Sequence, residues 1–435
     1  MSHNTTFPAV RDITAAEQRI LNSCDSVFEE VLEFTENMVS QYGVLNHEQG
    51  VLDVVEDRLT RLDLAPQRVH MKHHALCSHP LYAPVDWDHD HKYNLVSQLN
   101  PGAAGKSLVL NGHLDVVSAE PSDMWSRPPH QPWRHEGWLY GRGAGDMQSG
   151  VAAMIYAVHA IRHAGFTITS PLTIQAVVEE ECSGNGTLAC LNQGFGGDFA
   201  LIPEPFGAQI YTGQVGVLWF KLTVKGKPAH VLDTSAGINA IEKLQRLIPW
   251  LKGLEAELNE HHRQAPYDTM AQPFNLNIGK MEGGNWASSV PSHAQLEARI
   301  GFPPGMSANE IMQKVSDCIE EAVAKDPAFA DQRPILRFHG FRSEGHLVDM
   351  KHDGIRELSA AHQSLTHAEP GHYLSTCTTD LRAFHFYSRT AGTCYGPVAQ
   401  NIHGVDECVN IESIRQTLKT YALFISRWGQ LESRS

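Results

Sequence analysis

Five short motifs along the chain carry side chains that bind metal ions or transfer protons. Each combines histidine or acidic residues with glycine or proline, and most directly follow an apolar stretch typical of a strand. Imidazole and carboxylate groups, without thiolate, suit zinc, cobalt or manganese. The motifs are NGHLD at 111–115, GRGAGD at 141–146, EEE at 179–181, LIPEP at 201–205 and HGVDE at 403–407.

The motifs differ in what they contribute. His113 offers one ring nitrogen, and Asp115 can hydrogen-bond the other ring nitrogen and so fix the tautomer. The glycines at 141–145 let the backbone crowd around Asp146, and their G-x-G-x-G spacing is not that of a dinucleotide-binding turn. The three adjacent carboxylates at 179–181 repel one another, so cations or protons must compensate them.

Two divalent cations match this charge pattern better than one. Two such ions, three carboxylates and a hydroxide sum to zero charge, whereas a single ion leaves the site negative. A two-metal site stabilises both the attacking and the departing atoms of a hydrolysis and makes hydroxide available near neutral pH. Side chains alternate at a strand end, so only one of Glu180 and Glu181 can face the metals. The residues alone leave open which of the two is the ligand and which is the general base.

The elements that must position these motifs alternate between strands and helices. Apolar runs predict strands at 94–99, 107–110, 172–178 and 199–202, and helical periodicity predicts helices at 15–42, 49–62 and 150–163. Such alternation implies a largely parallel sheet that is covered by helices on both faces. Because ligands of these sheets bind at the carboxyl ends of strands, we expect the motifs to converge on one cleft.

The order of elements changes after residue 213. Strands are predicted at 215–224, 274–281, 294–300 and 334–339, and helices at 238–258 and 308–325. This β-α-β-β-α-β order is ferredoxin-like. The predicted fold class is therefore α/β, with a mixed, largely parallel sheet in a catalytic domain and an inserted ferredoxin-like α+β domain. We predict that residues 1–213 and 342–435 form the catalytic domain, which ends in a helix at 414–428, and that 214–341 form the insertion.

Composition and charge narrow the class of protein. The 435 residues are 42% hydrophobic and 19% charged, as in a globular chain with more than one core. Lys+Arg 34 against Asp+Glu 49 gives a net charge of −15, which disfavours nucleic acid and anionic membrane surfaces as partners. No apolar run approaches the roughly 20 residues of a membrane span. The start of the chain lacks a secretory signal, and 8 scattered cysteines indicate reduced thiols, so we predict a cytoplasmic protein.

A histidine-rich stretch at 70–91 could be interpreted as a second metal-binding site. It includes the sequence DHDH at 88–91, but it contains Pro80 and Pro84 and has no regular period. These features predict a solvated loop.

Taken together and in order, the motifs resemble the M20 family of metallopeptidases. That family includes acetylornithine deacetylase, succinyl-diaminopimelate desuccinylase, aminoacylase-1 and the glutamate carboxypeptidases. The resemblance extends over nearly the whole chain, and the joint order of the motifs is far more specific than any one of them. The matching runs are NGHLDVV, LYGRGAGDMQSG, VVEEECSGNGT, LIPEP, GKPAH and NIHGVDE.

The resemblance implies a ligand set for two divalent ions, Zn²⁺ first and Co²⁺ or Mn²⁺ as alternatives. His113 and Glu204 would bind one ion, and Glu181 and His403 the other. Asp146 would bridge the two ions.

The resemblance also implies which residues act on the substrate. Glu180 would be the general base, taking a proton from water and passing it to the leaving amine, while Asp115 would support His113. The inserted domain would be the lid and dimerisation domain of a homodimer. His230, within GKPAH, would stabilise the oxyanion of the tetrahedral intermediate, often across the dimer.

Two arginines match the family's substrate-binding positions, with departures. Ser288 and Ser289 stand where the family has an Asn that helps to hold substrate, and Gly301 stands where it has an Arg. Arg299, two residues earlier, lies on the same face of the strand and is expected to serve instead. Arg382 matches a second motif that grips a substrate carboxylate.

The expected function is a two-metal hydrolase that cleaves the amide bond of an N-acyl amino acid, as acetylornithine deacetylase does. A carboxypeptidase or dipeptidase acting on short peptides is the alternative within the same family. A catalytically silent homologue that binds metal or amino acids is the alternative of another class, and the presence of Glu180 argues against it.

Overall fold

The computed structural model of the protein describes residues 11–433. Residues 1–10, which bear on the predicted absence of a secretory signal, and residues 434–435 lie outside this range. The helices are α1 (Ala15–Ser26), α2 (Phe28–Val39), α3 (Gln49–Arg61), α4 (His73–Leu76), α5 (Ser149–His163), α6 (Asn185–Asn192), α7 (Ala240–Gln245), α8 (Ile248–His261), α9 (Ala308–Lys325), α10 (Asp353–Thr366), α11 (Leu381–Ala383) and α12 (Ile411–Trp428). The strands are β1 (Gln67–His70), β2 (Tyr93–Leu99), β3 (Leu108–His113), β4 (Trp133–His135), β5 (Trp138–Tyr140), β6 (Phe166–Ile168), β7 (Leu172–Val177), β8 (Phe199–Ile202), β9 (Gln209–Gln214), β10 (Gly216–Lys225), β11 (Leu276–Gly283), β12 (His293–Phe302), β13 (Ile335–Ser343), β14 (His346–Leu347), β15 (Gly371–Ser375), β16 (Ala391–Cys394), β17 (Ala399–Gln400), β18 (Cys408–Asn410) and β19 (Leu431–Ser433).

The largest sheet is mixed and mainly parallel, as predicted. Its order is β1-β2-β7-β3-β8-β16, in which β7, β3, β8 and β16 run parallel and β2 runs antiparallel to both neighbours. Every residue of β3, β7 and β8 is buried, which is typical of strands covered on both faces. Helix α5, twelve of whose residues are buried, packs against β3 and against α12.

The second large sheet is antiparallel and has the order β11-β12-β10-β13. Together with α7, α8 and α9 it has the predicted β-α-β-β-α-β order. The helix expected at 238–258 is two helices, α7 and α8, because the backbone breaks before Pro249, which occupies the first turn of α8.

Hydrophobic packing forms two large clusters. One surrounds the mixed sheet, and the other is built from buried residues between Val215 and Phe341, around the antiparallel sheet. This separation supports an inserted domain, whose boundaries at 213/214 and 341/342 stay a prediction.

Two local expectations are wrong. The helix predicted at 15–42 is interrupted at Val27, which leaves the helical region with ψ near 1°, where the Ser26 hydroxyl donates to the Ser23 carbonyl. Residues 70–91 are not wholly a solvated loop: they include α4, and His89 is buried against Glu179. Both predictions rested on the spacing of apolar residues and prolines, which does not indicate polar contacts such as Ser26 with Ser23 or His89 with Glu179.

The residues described, 11–433, contain no helix of sufficient length and apolar character to cross a bilayer.

The small sheet β14-β9-β15 contains a buried histidine that makes folding sensitive to pH. His346 is 4% exposed, neither ring nitrogen has a hydrogen-bond partner, and its ring stacks on His385 at 4.3 Å. Burial, with a smaller contribution from His385, lowers the pKa of His346 to about 3. The folded state therefore keeps the ring neutral at a pH where the unfolded chain protonates it.

Stability is consequently expected to fall as the pH drops below the unfolded pKa of about 6.5. From pH 7 to pH 5, His346 should lower the free energy of unfolding by about 2 kcal/mol, and His346→Phe should abolish that part of the decrease. Urea unfolding of the chelator-stripped chain, followed by circular dichroism at both pH values, measures it. His91→Phe, at a ring that is 65% exposed, is the control and should leave the decrease unchanged.

Candidate metal centre

Three neighbouring parallel strands end at the same edge of the mixed sheet. β3 ends at His113, β7 is followed by the three glutamates at 179–181, and β8 is followed by Glu204. Because β7, β3 and β8 are adjacent, their carboxyl ends bring these residues together.

All five residues predicted as metal ligands lie together, in two overlapping sets. One set is His113, Asp146 and Glu204, and the other is Asp146, Glu181 and His403; within each set the candidate ligand atoms lie within 4.8 Å of one another. We call these five residues the acid–histidine cluster. Asp146 belongs to both sets, and its two oxygens face opposite ways.

Distances around Asp146 describe this shared position. Oδ1 lies 3.1 Å from Nε2 of His113, while Oδ2 lies 3.4 Å from Nε2 of His403. Nε2 of His403 also lies 3.0 Å from Oε1 of Glu181. A carboxylate with one oxygen toward each histidine has the geometry of a bridging ligand.

The electrostatics of the cluster call for added positive charge. Burial raises the pKa of Glu180 and of Glu204 well above the usual range, and neighbouring carboxylates raise both further. Glu181 raises the pKa of His403 to about 12. Burial opposes protonation of His113, but the Asp146 hydrogen bond and Glu180 outweigh it, so its pKa lies well above the usual range. The raised pKa values of Glu180 and Glu204 reflect buried carboxylates without a compensating cation, and the nitrogen and oxygen donors of the cluster fit two divalent cations.

Asp115 does not make the predicted side-chain hydrogen bond to His113. The nearest Asp115 carboxylate oxygen lies 3.8 Å from Nδ1 of His113, and Nδ1 instead donates to the Asp115 main-chain carbonyl at 2.9 Å. The carboxylate accepts the main-chain N–H groups of Glu180 and Glu181 at 3.2 and 3.1 Å. The Asp115 carbonyl therefore orients the imidazole of His113, and the Asp115 carboxylate holds the main chain of Glu180 and Glu181.

The first glutamate of the triplet is not part of the cluster. Glu179 is completely buried and contacts residues of the 87–92 segment, whereas Glu180 Oε2 lies 4.0 Å from Nε2 of His113. Glu180 and Glu181 both lie at the cluster, so the expectation that only one of them can face it is wrong: β7 ends at Val177, and the turn that follows does not keep the alternation of a strand.

Glu407, to which the sequence analysis assigned no role, supports the loop that carries Asp146. Its Oε1 accepts the main-chain N–H groups of Gly143, Gly145 and Asp146 at 3.1, 2.9 and 2.9 Å. Its Oε2 pairs with the buried guanidinium of Arg142. Gly143 has φ +88°, and an added Cβ would lie 2.7 Å from Val116. The glycine-rich loop at 141–146 thus surrounds the Glu407 carboxylate and directs the Asp146 side chain into the cluster.

His230 lies outside the cluster within this chain. It is exposed, and its Nδ1 accepts the main-chain N–H of Leu232 at 3.0 Å. Leu232 itself is 90% exposed.

The two predicted substrate-binding arginines are held by main-chain carbonyls. Arg299 donates to Thr376 at 2.7 Å and to Asn275 at 3.3 Å, and burial lowers the pKa of its guanidinium. Arg382 is buried, donates to the Ser183 carbonyl and lies 4.8 Å from the Phe341 ring centre.

Comparison with known proteins agrees with this geometry. The chain is similar to the N-formyl-4-amino-5-aminomethyl-2-methylpyrimidine deformylase of Bacillus subtilis (strain 168), at 28% identity over 74% of this chain and 79% of that protein. It is also similar to the acetylornithine deacetylase of Yersinia pestis, at 29% identity over 65% of this chain and 73% of that protein. The solved structure of the di-peptidase Dug1p from Saccharomyces cerevisiae has the same fold, with a TM-score of 0.78 at 15% identity over 95% and 98% of the two chains.

The family model described as peptidase family M20/M25/M40 matches residues 109–427, from β3, which carries the first histidine of the cluster, to the last turn of α12. The match spans well over half of the chain and includes every residue of the acid–histidine cluster. The chain therefore belongs to this family of metal-dependent amidohydrolases and peptidases.

Proposed function

We propose that the protein is a two-metal hydrolase that cleaves the amide bond of a small N-acylated amine, with N-acyl amino acids as the first substrate class. The observation that carries the proposal is the double cluster in which Asp146 is shared between two histidine–carboxylate sets. Such a bridge has no use in a site for one ion.

In this proposal His113 and Glu204 hold one ion and Glu181 and His403 hold the other, with Asp146 between them. Zn²⁺ is the first choice and Co²⁺ or Mn²⁺ the alternatives, since all three accept imidazole and carboxylate ligands. When bound, such ions polarise a carbonyl group and make a water molecule more acidic.

Glu180 is the proposed general base. It is buried beside the cluster and belongs to neither ligand set, so its carboxylate is free to exchange a proton. It would accept the proton of the attacking water and deliver it to the amine nitrogen as the C–N bond breaks. The Asp115 carboxylate, by accepting the main-chain N–H of Glu180, holds that residue in place.

His230 is the proposed oxyanion donor, supplied by a second copy of the chain in a homodimer. Its exposed position beside exposed apolar side chains, Val231, Leu232 and Trp286, supports a surface that another copy covers. A cytoplasmic location is part of the same proposal, and all eight cysteines are unpaired.

Arg299 and Arg382 are the proposed contacts of a substrate carboxylate. Both already donate to main-chain carbonyls, so substrate would use the N–H groups that remain.

N-formylated aminopyrimidine is a second candidate substrate class. The deformylase of Bacillus subtilis supports it, because the similarity extends over 79% of that protein. A dipeptidase activity has weaker support, since the likeness to the yeast di-peptidase, at 15% identity, concerns the fold alone.

Glu180→Gln is expected to lower kcat by about 10²- to 10⁴-fold while leaving the metal content unchanged, because the amide cannot accept a proton. Glu181→Gln is the matched variant and should lose metal as well as activity. Steady-state kinetics with elemental analysis of both variants distinguishes base from ligand. A Glu180→Gln enzyme with a near-normal rate would contradict the assignment.

Chelation is expected to abolish hydrolysis, and added Zn²⁺, Co²⁺ or Mn²⁺ to restore it. His403→Ala should retain about half of the metal of the wild-type protein, since it removes a ligand from only one of the two sets. His91→Ala, at an exposed ring, serves as the control for the effect of losing a histidine. Full metal content in His403→Ala would exclude it as a ligand.

The substrate class can be resolved by a panel of N-acetyl, N-succinyl and N-formyl amino acids, N-formyl-aminomethylpyrimidine and dipeptides, assayed with each metal. We expect the highest kcat/KM among the N-acyl amino acids. A preference of more than tenfold for the formylated pyrimidine would select the second candidate instead, and hydrolysis of none of them would leave a silent metal-binding homologue.

A further inference from the structure

Glu179 has an unusual backbone conformation that its buried side chain maintains. Its φ is +65°, in the left-handed region that residues other than glycine seldom adopt. Its Oε1 accepts the indole N–H of Trp87 at 2.7 Å, and its Oε2 accepts the hydroxyl of Ser183 at 2.7 Å. Such a conformation persists only where surrounding contacts over-determine it.

Lys92 places a positive charge against Glu179 in the interior. Its Nζ lies 3.2 Å from Oε1 of Glu179 and 2.7 Å from Oε1 of Glu48. All three side chains are at most 5% exposed. Lysine is seldom buried to this extent, and among residues 11–433 loss of the ammonium would leave Glu48 without an ion-pair partner and Glu179 with His89 alone.

The turn that begins at Glu179 sends the next two side chains in different directions. Glu180 is directed toward His113, at 4.0 Å, and Glu181 toward His403, at 3.0 Å. An extended residue at 179 would rotate the two following residues together, so the left-handed backbone at this position sets where the proposed base and the proposed ligand point.

We propose that Lys92 is a positioning residue of the metal centre, which acts through its ion pair with Glu179 to fix the directions of Glu180 and Glu181. The inference rests on the proposed function, in which Glu181 binds metal and Glu180 moves protons. Lys92, Trp87 and Glu48 all precede residue 109, where the match to the family model begins, so this support is separate from the matched motifs.

Lys92→Met tests the proposal, because it removes the ammonium but keeps an unbranched side chain of similar length. We expect at least a tenfold loss of Zn²⁺ affinity for one of the two ions, and at least a tenfold lower kcat with KM within twofold. Titration calorimetry of the chelator-stripped chain and steady-state kinetics measure these effects. Lys92→Arg should recover most of both, since it restores the positive charge.

Lys243→Met is the matched control. Lys243 is also buried, but it lies in the second hydrophobic cluster and donates to the Gln332 carbonyl at 2.8 Å. It should lower the Tm without changing Zn²⁺ affinity, which separates a positioning role from general loss of stability.

Glu179→Gln gives a second, independent test that keeps the Trp87 hydrogen bond. It should weaken Zn²⁺ binding about tenfold, and the double variant with Lys92→Met should lose no more than the worse single variant, because the two residues act as a pair. If both single variants bind two Zn²⁺ ions within twofold of the wild-type affinity, the inference is wrong and the proposed function stands. If the wild-type chain binds none of Zn²⁺, Co²⁺ and Mn²⁺, the proposed function and the inference fail together.

Discussion

The constraint on which the site depends is negative charge gathered in the interior at one edge of the mixed sheet. Carboxylates there fall into two groups, according to whether the protein supplies a cation. Those at the periphery have one: Glu179 faces Lys92, Glu407 faces Arg142, and Asp380 lies in the field of Arg382. Those at the centre have no lysine or arginine beside them: within residues 11–433 none forms an ion pair with Asp146, Glu180, Glu181 or Glu204, and the basic groups in contact are the imidazoles of His113 and His403. The fold thus pairs the outer carboxylates itself, and in the proposed function the inner ones bind ions from solution.

Two carboxylates outside the cluster, Glu407 and Asp115, shape the backbone that carries the inner ones. Glu407 gathers three main-chain N–H groups of the loop that ends at Asp146, and Asp115 gathers those of Glu180 and Glu181. A carboxylate that accepts several N–H groups fixes a tight turn without a repeating hydrogen-bond pattern. Rigid placement matters because two ions must be held at a set separation for hydrolysis. In the proposed function, substitution of Glu407 or Asp115 would therefore affect catalysis without direct contact with the substrate.

The sequence was sufficient to predict much of this site. Parallel strands expose their carboxyl ends at one edge, so His113, Glu181 and Glu204 were expected to meet, and the ordered motifs added Asp146 and His403. Pairings between distant residues were not predictable: Arg142 and Glu407 are 265 positions apart, and nothing in either motif indicates the other. Dihedral angles were equally hidden, since the left-handed backbone at Glu179 leaves no mark on a run of three glutamates. The burial of His89 was equally unpredictable, since its neighbours in the sequence are polar and it is buried against Glu179, which is distant along the chain.

Substrate preference depends on groups outside the cluster. In the proposed function the cluster acts on the acyl carbonyl, which every amide presents, and relatives of similar identity act on an N-formyl pyrimidine and on an acetylated amino acid. These two substrates differ in whether the amine portion bears a carboxylate. Arg299, on β12, donates to the carbonyl of Thr376, which directly follows β15. In the proposed function it contacts the amine portion of the substrate. Two of its N–H groups are engaged by carbonyls, and a planar guanidinium binds a carboxylate firmly only with two parallel N–H groups free. In the proposed function, the N–H groups of Arg299 and Arg382 that no carbonyl engages would distinguish an amino-acid substrate from one without a carboxylate.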